Sequence, residues 1–209
     1  MLAIIDPRTV INLSIVIGVC LDNTCLFYAD QRKIDFQVPH NIDDHFEKIF
    51  RINSNVLVGA TGQYAHIEKL TSPFVDGEDL DIDTAFTRAV SYIANMKKMF
   101  ALTGTRTYII GGKNADGCFG IYTVKYNAET TQIETDKQLI PPNSKLIATR
   151  CSLPAGLTLK ADEYNDRIAE AVMLATSIQD LNQKISAIIC DVADRDQTVN
   201  KNISILSIA

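Results

Sequence analysis

The chain has 209 residues, 46% of them hydrophobic and 22% charged, which is enough for one globular domain with a sizeable core. That composition excludes a disordered chain, a repeat array and a collagen-like fibre. Twenty Lys and Arg against 25 Asp and Glu give a net charge of -5, and no basic run is longer than the pair Lys97-Lys98, so the footprint of a nucleic-acid binder is missing.

The first apolar stretch, Val10 to Leu21 behind Arg8, imitates the hydrophobic region of a signal peptide. It is shorter than the roughly 20 residues a bilayer span needs, and Asp6, Asn12 and Ser14 interrupt the pattern, so it reads as the start of a soluble strand. Ile15, Ile17 and Val19 share one phase, Asp22-Asn23 supplies turn chemistry, and Cys25 to Ala29 is a second apolar run. Together they predict a β-hairpin. Gln31 to Glu47 reads as polar and irregular, with an extended break at Val38-Pro39. Lys48 to Ile52 and Asn55 to Ala60, around Asn53-Ser54, predict a second hairpin.

From Gln63 to Leu70 the pattern turns helical, and a loop with Pro73 and Asp76-Gly77 leads to Asp83, a candidate N-cap. Ala85, Phe86, Ala89, Val90, Ile93, Met96 and Phe100 follow at helical spacing and predict a long amphipathic helix. Thr107 to Ile110 and Gly120 to Tyr126, around Asn114, Asp116 and Gly117, predict a strand pair, and Leu146 to Thr149 a further short strand. Asp166 to Ile178 reads as helix, and Ile185 to Val192 and Ile203 to Ile208 as closing strands. This order lacks the strict alternation of a doubly wound parallel sheet. It suits an α+β protein with antiparallel sheets whose outer faces are covered by helices, and two packed sheets inside two helical layers would use every amphipathic face.

Five cysteines, Cys20, Cys25, Cys118, Cys151 and Cys190, form no CxxC pair, and with His40, His45 and His66 they give no zinc-type spacing. An odd number of scattered cysteines reads as free thiols in a reducing compartment, used as small apolar residues. The histidines read as solvent or interface residues, and Met96, Met99 and Phe100 as core or subunit contact.

Several segments carry a resemblance. Cys25-Leu-Phe-Tyr-Ala-Asp30-Gln-Arg32 looks like an apolar strand ending in Asp-x-Arg. Glu47-Lys48-Ile-Phe50 is followed by Val56-Leu-Val-Gly-Ala-Thr-Gly62, then Tyr108-Ile-Ile-Gly-Gly112, Gly117-Cys-Phe-Gly-Ile-Tyr122 and Asp180. Over nearly the whole chain this resembles the β-type subunits of the 20S proteasome, which have the N-terminal-nucleophile hydrolase fold. The resemblance implies one domain, residues 1–209, folded as a four-layer αββα sandwich, with residues 1–13 as a short unprocessed leader.

In that family a threonine at the mature N-terminus attacks, and its own α-amine accepts the hydroxyl proton. A Lys keeps the amine unprotonated, acids orient the network and a Gly amide stabilises the oxyanion. Carried over, Asp30 matches the first acid, Lys48 the lysine, Gly62 the oxyanion glycine and Asp180 the later acid; counting back from Asp30 puts the nucleophile position at Ser14. The chain departs from the pattern elsewhere. Leu13 stands where active members have Gly before the nucleophile, and Ile15 and Val16 replace polar residues. Thr149-Arg150-Cys151-Ser152 replaces a Gly-Ser-Gly type turn, Gln183 and Lys184 replace a Ser and a Gly, and Cys151 to Tyr164 is abbreviated.

The resemblance therefore implies a non-catalytic subunit, most like the one at the third position of the eukaryotic β ring, in the cytoplasm and nucleus. Its expected partners are other β subunits in a seven-membered ring and the adjacent α-ring subunits, with unfolded polypeptide passing through the chamber they enclose. Nucleic acid, membrane, metal and cofactor are not expected. Two alternatives stand beside it: an active protease subunit with Ser14 exposed as the processed N-terminus, and an α-type ring subunit, for which the chain lacks room before the first hairpin. Each matched residue also has a plain structural reading: Lys48 in a salt bridge, Asp30 with Arg32 in a charge pair, and Gly62 ending a strand.

Overall fold

A computed structural model describes residues 14–35, 41–62, 71–74, 80–99, 104–154, 157 and 161–209. Residues 1–13, the Val38-Pro39 break, the helical pattern at Gln63 to Leu70, the Asp76-Gly77 loop, His40, His66 and Phe100 lie outside the described residues. The remainder is a mixed α+β fold with antiparallel sheets and three α-helices.

The first hairpin forms as expected. β1 (Val16–Leu21) and β2 (Thr24–Asp30) pair antiparallel around Asp22-Asn23, with Val16 opposite Ala29 and Leu21 opposite Thr24. β2 is followed by β3 (Lys33–Asp35) and β4 (Asn41–Asp43), a small separate sheet inside the stretch expected to be irregular; at three residues each they are too short to show a period. β5 (Ile49–Arg51) and β6 (Val56–Gly62) make the second predicted hairpin. A turn of 3-10 helix at Ser72–Phe74 precedes α1 (Ile82–Met99).

Of the face the spacing predicted for α1, Ala85, Ala89 and Ile93 are buried and Phe86, Val90 and Met96 half-buried, and Ile82 is buried with them. The N-cap is Asp81 rather than Asp83. Asp81 accepts from the Thr84 amide at 2.7 Å, while Asp83 lies within the first turn and pairs with Lys137 at 2.9 Å. Both acids suit the helix dipole, so the sequence alone does not separate them.

β7 (Arg106–Lys113) and β8 (Phe119–Asn127) follow as predicted, and β9 (Gln132–Leu139) is a strand the hydropathy pattern concealed. Its residues QIETDKQL are largely exposed because it is an edge, and charge on an edge strand discourages pairing with other chains. β10 (Ala148–Ser152) pairs with β1, so Thr149 to Ser152 lies in a regular strand. α2 (Ala161–Met173) covers most of the predicted helix.

The largest correction concerns Ile185 to Val192, which is helical and not a strand. It belongs to α3 (Ile178–Arg195), whose buried residues Leu181, Ile185, Ile188, Ile189 and Val192 recur at spacings of four, three, one and three. The β-branched run disguised this 3.6-residue period. Ser177 caps the helix by accepting from the Asp180 amide at 3.1 Å. β11 (Ile203–Ile208) returns to pair with β2.

The strands make a sheet ordered β10-β1-β2-β11 and a second ordered β5-β6-β7-β8-β9. One apolar cluster joins Ile17 and Tyr28 of the first sheet, with Ile15 just ahead of β1, to α2 and α3, and a second joins β6, β7 and β8 to α1. A third, with Val16, Phe27, Leu57, Ile109 and Ile121, draws residues from both sheets. Arginines tie the sheet edges together: Arg150 on β10 bonds to Asp136 and Gln138 on β9, and Arg51 on β5 donates to the Ser207 carbonyl on β11. Edge carbonyls and acids thereby gain partners across the gap between sheets.

The five cysteines are not all free thiols. Cys20 and Cys25, opposite each other in the hairpin, are joined as a disulfide, whereas Cys118, Cys151 and Cys190 are free. Facing positions on adjacent strands, not a CxxC spacing, bring the pair together.

Two carboxylates fix loops and helices to this frame. Asp44 takes two hydrogen bonds from Arg32, at 2.6 and 3.0 Å, and Asp191 takes one from Arg167 at 2.6 Å. These bonds, followed by smaller electrostatic attractions, hold both carboxyls below the usual carboxylate range. A carboxyl lowered on folding adds stability above its unfolded pKa and loses it as pH falls through the folded value. The urea midpoint is therefore expected to fall between about pH 5 and pH 2. An Asp44→Asn/Asp191→Asn double variant should show a shallower fall over the same range.

Candidate functional site

The buried polar side chains among the described residues are Ser14, Asp30, Lys48, Thr61, Thr107, Ser152 and Asn200. Strand register gathers them. Val16, two residues after Ser14, lies opposite both Ala29 and Ser152, Thr61 lies opposite Thr107, and the Lys48 carbonyl accepts from the Ala60 amide. Asn200 accepts from the Gln31 amide next to Asp30. The polar interior is thus concentrated at one end of the two sheets, where β1 starts and β2, β6 and β10 end.

Asp30 is the centre of this end. One carboxylate oxygen accepts from the Ile15 amide at 3.0 Å and from Lys48 Nζ at 2.7 Å, and the other accepts from the Arg32 amide at 3.0 Å. The Lys48 and Asp30 side chains are 1% and 0% exposed, so this is an ion pair removed from water, with backbone donors filling the remaining carboxylate positions. Burial lowers the Lys48 ammonium from its ordinary range, and the Asp30 charge and hydrogen bond oppose that shift. The pair joins the two sheets, because Asp30 ends β2 and Lys48 immediately precedes β5.

Ser14 is 4% exposed and one peptide bond from the Ile15 amide held by Asp30. Ser14, Asp30 and Lys48, three of the residues singled out from the sequence, are therefore brought together. Arg32 does not pair with Asp30 through its side chain. Its guanidinium turns to Asp44 and to the Gln197 carbonyl at 2.7 Å, and only its amide reaches Asp30.

Gly62 stands at the same end, with φ of +127°. A Cβ there would lie 2.3 Å from the Thr105 carbonyl oxygen and 2.9 Å from the Arg106 Cα. Backbone conformation and close approach together account for glycine at this position.

Asp180 is engaged elsewhere, in the first turn of α3. It accepts from the Thr176 amide at 2.9 Å and forms an ion pair with Lys184 one turn along the helix. The Lys184 hydrogen bond, then that of the Thr176 amide, holds this carboxyl below the usual range. His45 is exposed, with its amide bonded to Asp43.

A hydroxyl pair completes the buried end. Thr61 Oγ1 and Ser152 Oγ lie 2.7 Å apart, linking β6 to β10. Sequence reasoning did not select Thr61; its only sequence cue is its place before Gly62 at the end of an apolar strand. Ser152→Ala is expected to cost about 1–3 kcal/mol, because it leaves the buried Thr61 hydroxyl without this partner. Adding Thr61→Val should cost less than the sum of the two single changes, measured as a double-mutant cycle by urea unfolding.

No group of three or more His, Cys, Asp or Glu placed to hold a metal occurs among the described residues. Cys151 offers no ready nucleophile, since burial pushes its thiol up to about 12. Among the described residues, no helix is long and apolar enough to cross a membrane. No protein-family model matches the chain, and no curated protein matches its sequence.

Proposed function

We propose that this chain is a non-catalytic structural β-type subunit of a 20S proteasome core particle, folded as a four-layer αββα sandwich. It completes a seven-membered β ring, contacts the adjacent α ring and walls the chamber through which unfolded polypeptide passes, in the cytoplasm and nucleus. The proposal rests on the sequence resemblance and on one observation above the rest. The Asp30–Lys48 pair is intact beside Ser14, while Asp180 is drawn into an ion pair with Lys184, a residue standing where the resemblance expects Ser or Gly.

That combination suits a scaffold that keeps the part of the site holding the sheets together and has diverted the part that would complete a proton network. The Ile15 amide and Lys48 share one Asp30 oxygen, so the pair also anchors the chain entering β1. A second reading, an active subunit with Ser14 as processed N-terminal nucleophile, draws on the same intact pair. It requires an amine at Ser14 and a free acid at the Asp180 position.

The test is native purification of the tagged chain from its own cells, with every co-purifying polypeptide identified by mass spectrometry. The expected result is a particle containing the other β-type and α-type subunits in equal amounts. Recovery of the chain alone, or with unrelated proteins, would overturn the proposal.

A further inference from the structure

We propose that Cys20 and Cys25 form a reversible thiol–disulfide couple that locks the β1–β2 hairpin under oxidising conditions and releases it under reducing ones. The pair is placed by register. Leu21 and Thr24 close the two-residue turn, so Cys20 opposite Cys25 is the next rung, the narrow kind in an antiparallel ladder. Their Cα atoms are 4.2 Å apart, within reach of a disulfide, and the turn and flanking rungs keep the two sulfurs beside each other whether or not they are bonded.

The surroundings suit the dithiol form as well. Cys20 Sγ lies 3.1 Å from the Gly120 carbonyl oxygen, an acceptor ready for a thiol proton. A Cβ at Gly111 would stand 2.6 Å from Cys25 Sγ, so the second sheet carries glycine where that sulfur approaches. Both cysteines are 0% exposed in the cluster that contains Phe27, Ile109 and Ile121, so the bond joins two strands of one sheet at a point covered by the other. The remaining cysteines are free, and none of them faces another cysteine in the strand register.

The oxidant is a small disulfide such as oxidised glutathione. One cysteine thiolate attacks it, forming a mixed disulfide and expelling one glutathione thiolate. The second cysteine thiolate then attacks the cysteine sulfur of that mixed disulfide and expels the other. The two cysteines lose two electrons and two protons, and the small disulfide leaves as two thiols. Because both sulfurs are buried, exchange runs through opening of the hairpin or during folding.

The test unfolds and refolds the full chain in glutathione buffers from fully reducing to fully oxidising, quenches with acid, and alkylates under denaturing conditions with N-ethylmaleimide. Intact mass should report five adducts at the reducing end and three at the oxidising end, with the loss mapped to Cys20 and Cys25 and reversed by returning the buffer. The oxidised form should melt several degrees above the reduced form, and Cys25→Ala should melt alike in both buffers. Five adducts throughout, three adducts throughout, or a loss mapped to Cys118, Cys151 or Cys190 would each overturn the proposal.

Discussion

Asp30→Ala is expected to lower the free energy of unfolding by about 3–5 kcal/mol, among the largest losses a single change can bring to this chain. The carboxylate serves three donors at once, and its removal leaves the Lys48 ammonium 1% exposed without its counter-charge, together with the orphaned Ile15 and Arg32 amides. Lys48→Met also strands a buried charge but should cost less, because the Asp30 carboxylate keeps its two backbone donors. Asp30→Asn/Lys48→Met should then be no worse than Asp30→Ala. Urea unfolding with linear extrapolation orders the three variants. Losses under about 1 kcal/mol for Asp30→Ala would mean that the pair behaves like a surface salt bridge. In an assembled particle, Lys48→Met should leave peptide hydrolysis unchanged if this subunit is a scaffold, and lower it if Ser14 is a working nucleophile.

Gly62→Ala is the second large effect, expected at about 2–4 kcal/mol from a strained backbone added to an overpacked site. The φ of +127° disfavours any side chain, and the obstructing atoms are the Thr105 carbonyl and the Arg106 backbone, which cannot swing aside as a side chain would. Gly117→Ala is the informative control. Gly117 also has a positive φ, +79°, but nothing lies within 4 Å of its Cβ position, so its loss should reflect backbone conformation alone. Equal losses at the two sites would show that contact with β7 contributes nothing at Gly62.

Much of this fold is legible in the sequence where one face of an element is apolar and the other is not. α1 carries a clear period because one face of it meets a core cluster, whereas β1 and β2 are buried on both faces and are marked instead by apolar runs on either side of Asp22-Asn23. β9 is hidden because an exposed edge strand needs no apolar face, and α3 because its buried positions are filled by isoleucine and valine, which favour strands locally. Tertiary packing against β2 and β11 overrides that preference.

The site was legible only in part. Asp30 and Lys48 could be assigned to one site because the segments that carry them resemble a known pattern, although the plain structural reading paired Asp30 with Arg32. Thr61 could not, since its meaning comes from Ser152, 91 residues away on the other sheet. Nor does the sequence show that Asp180 turns to Lys184, because a capping acid and a catalytic acid occupy the same kind of position at the start of a helix.

The measurement that bears most directly on the proposed role is the intact mass of this chain taken from the purified particle, paired with N-terminal sequencing. A structural subunit should begin ahead of Ser14, so that the Ser14 nitrogen remains in a peptide bond and cannot serve as a base. A chain beginning at Ser14 would contradict that account, and labelling of the Ser14 hydroxyl by a covalent probe would then identify a working nucleophile.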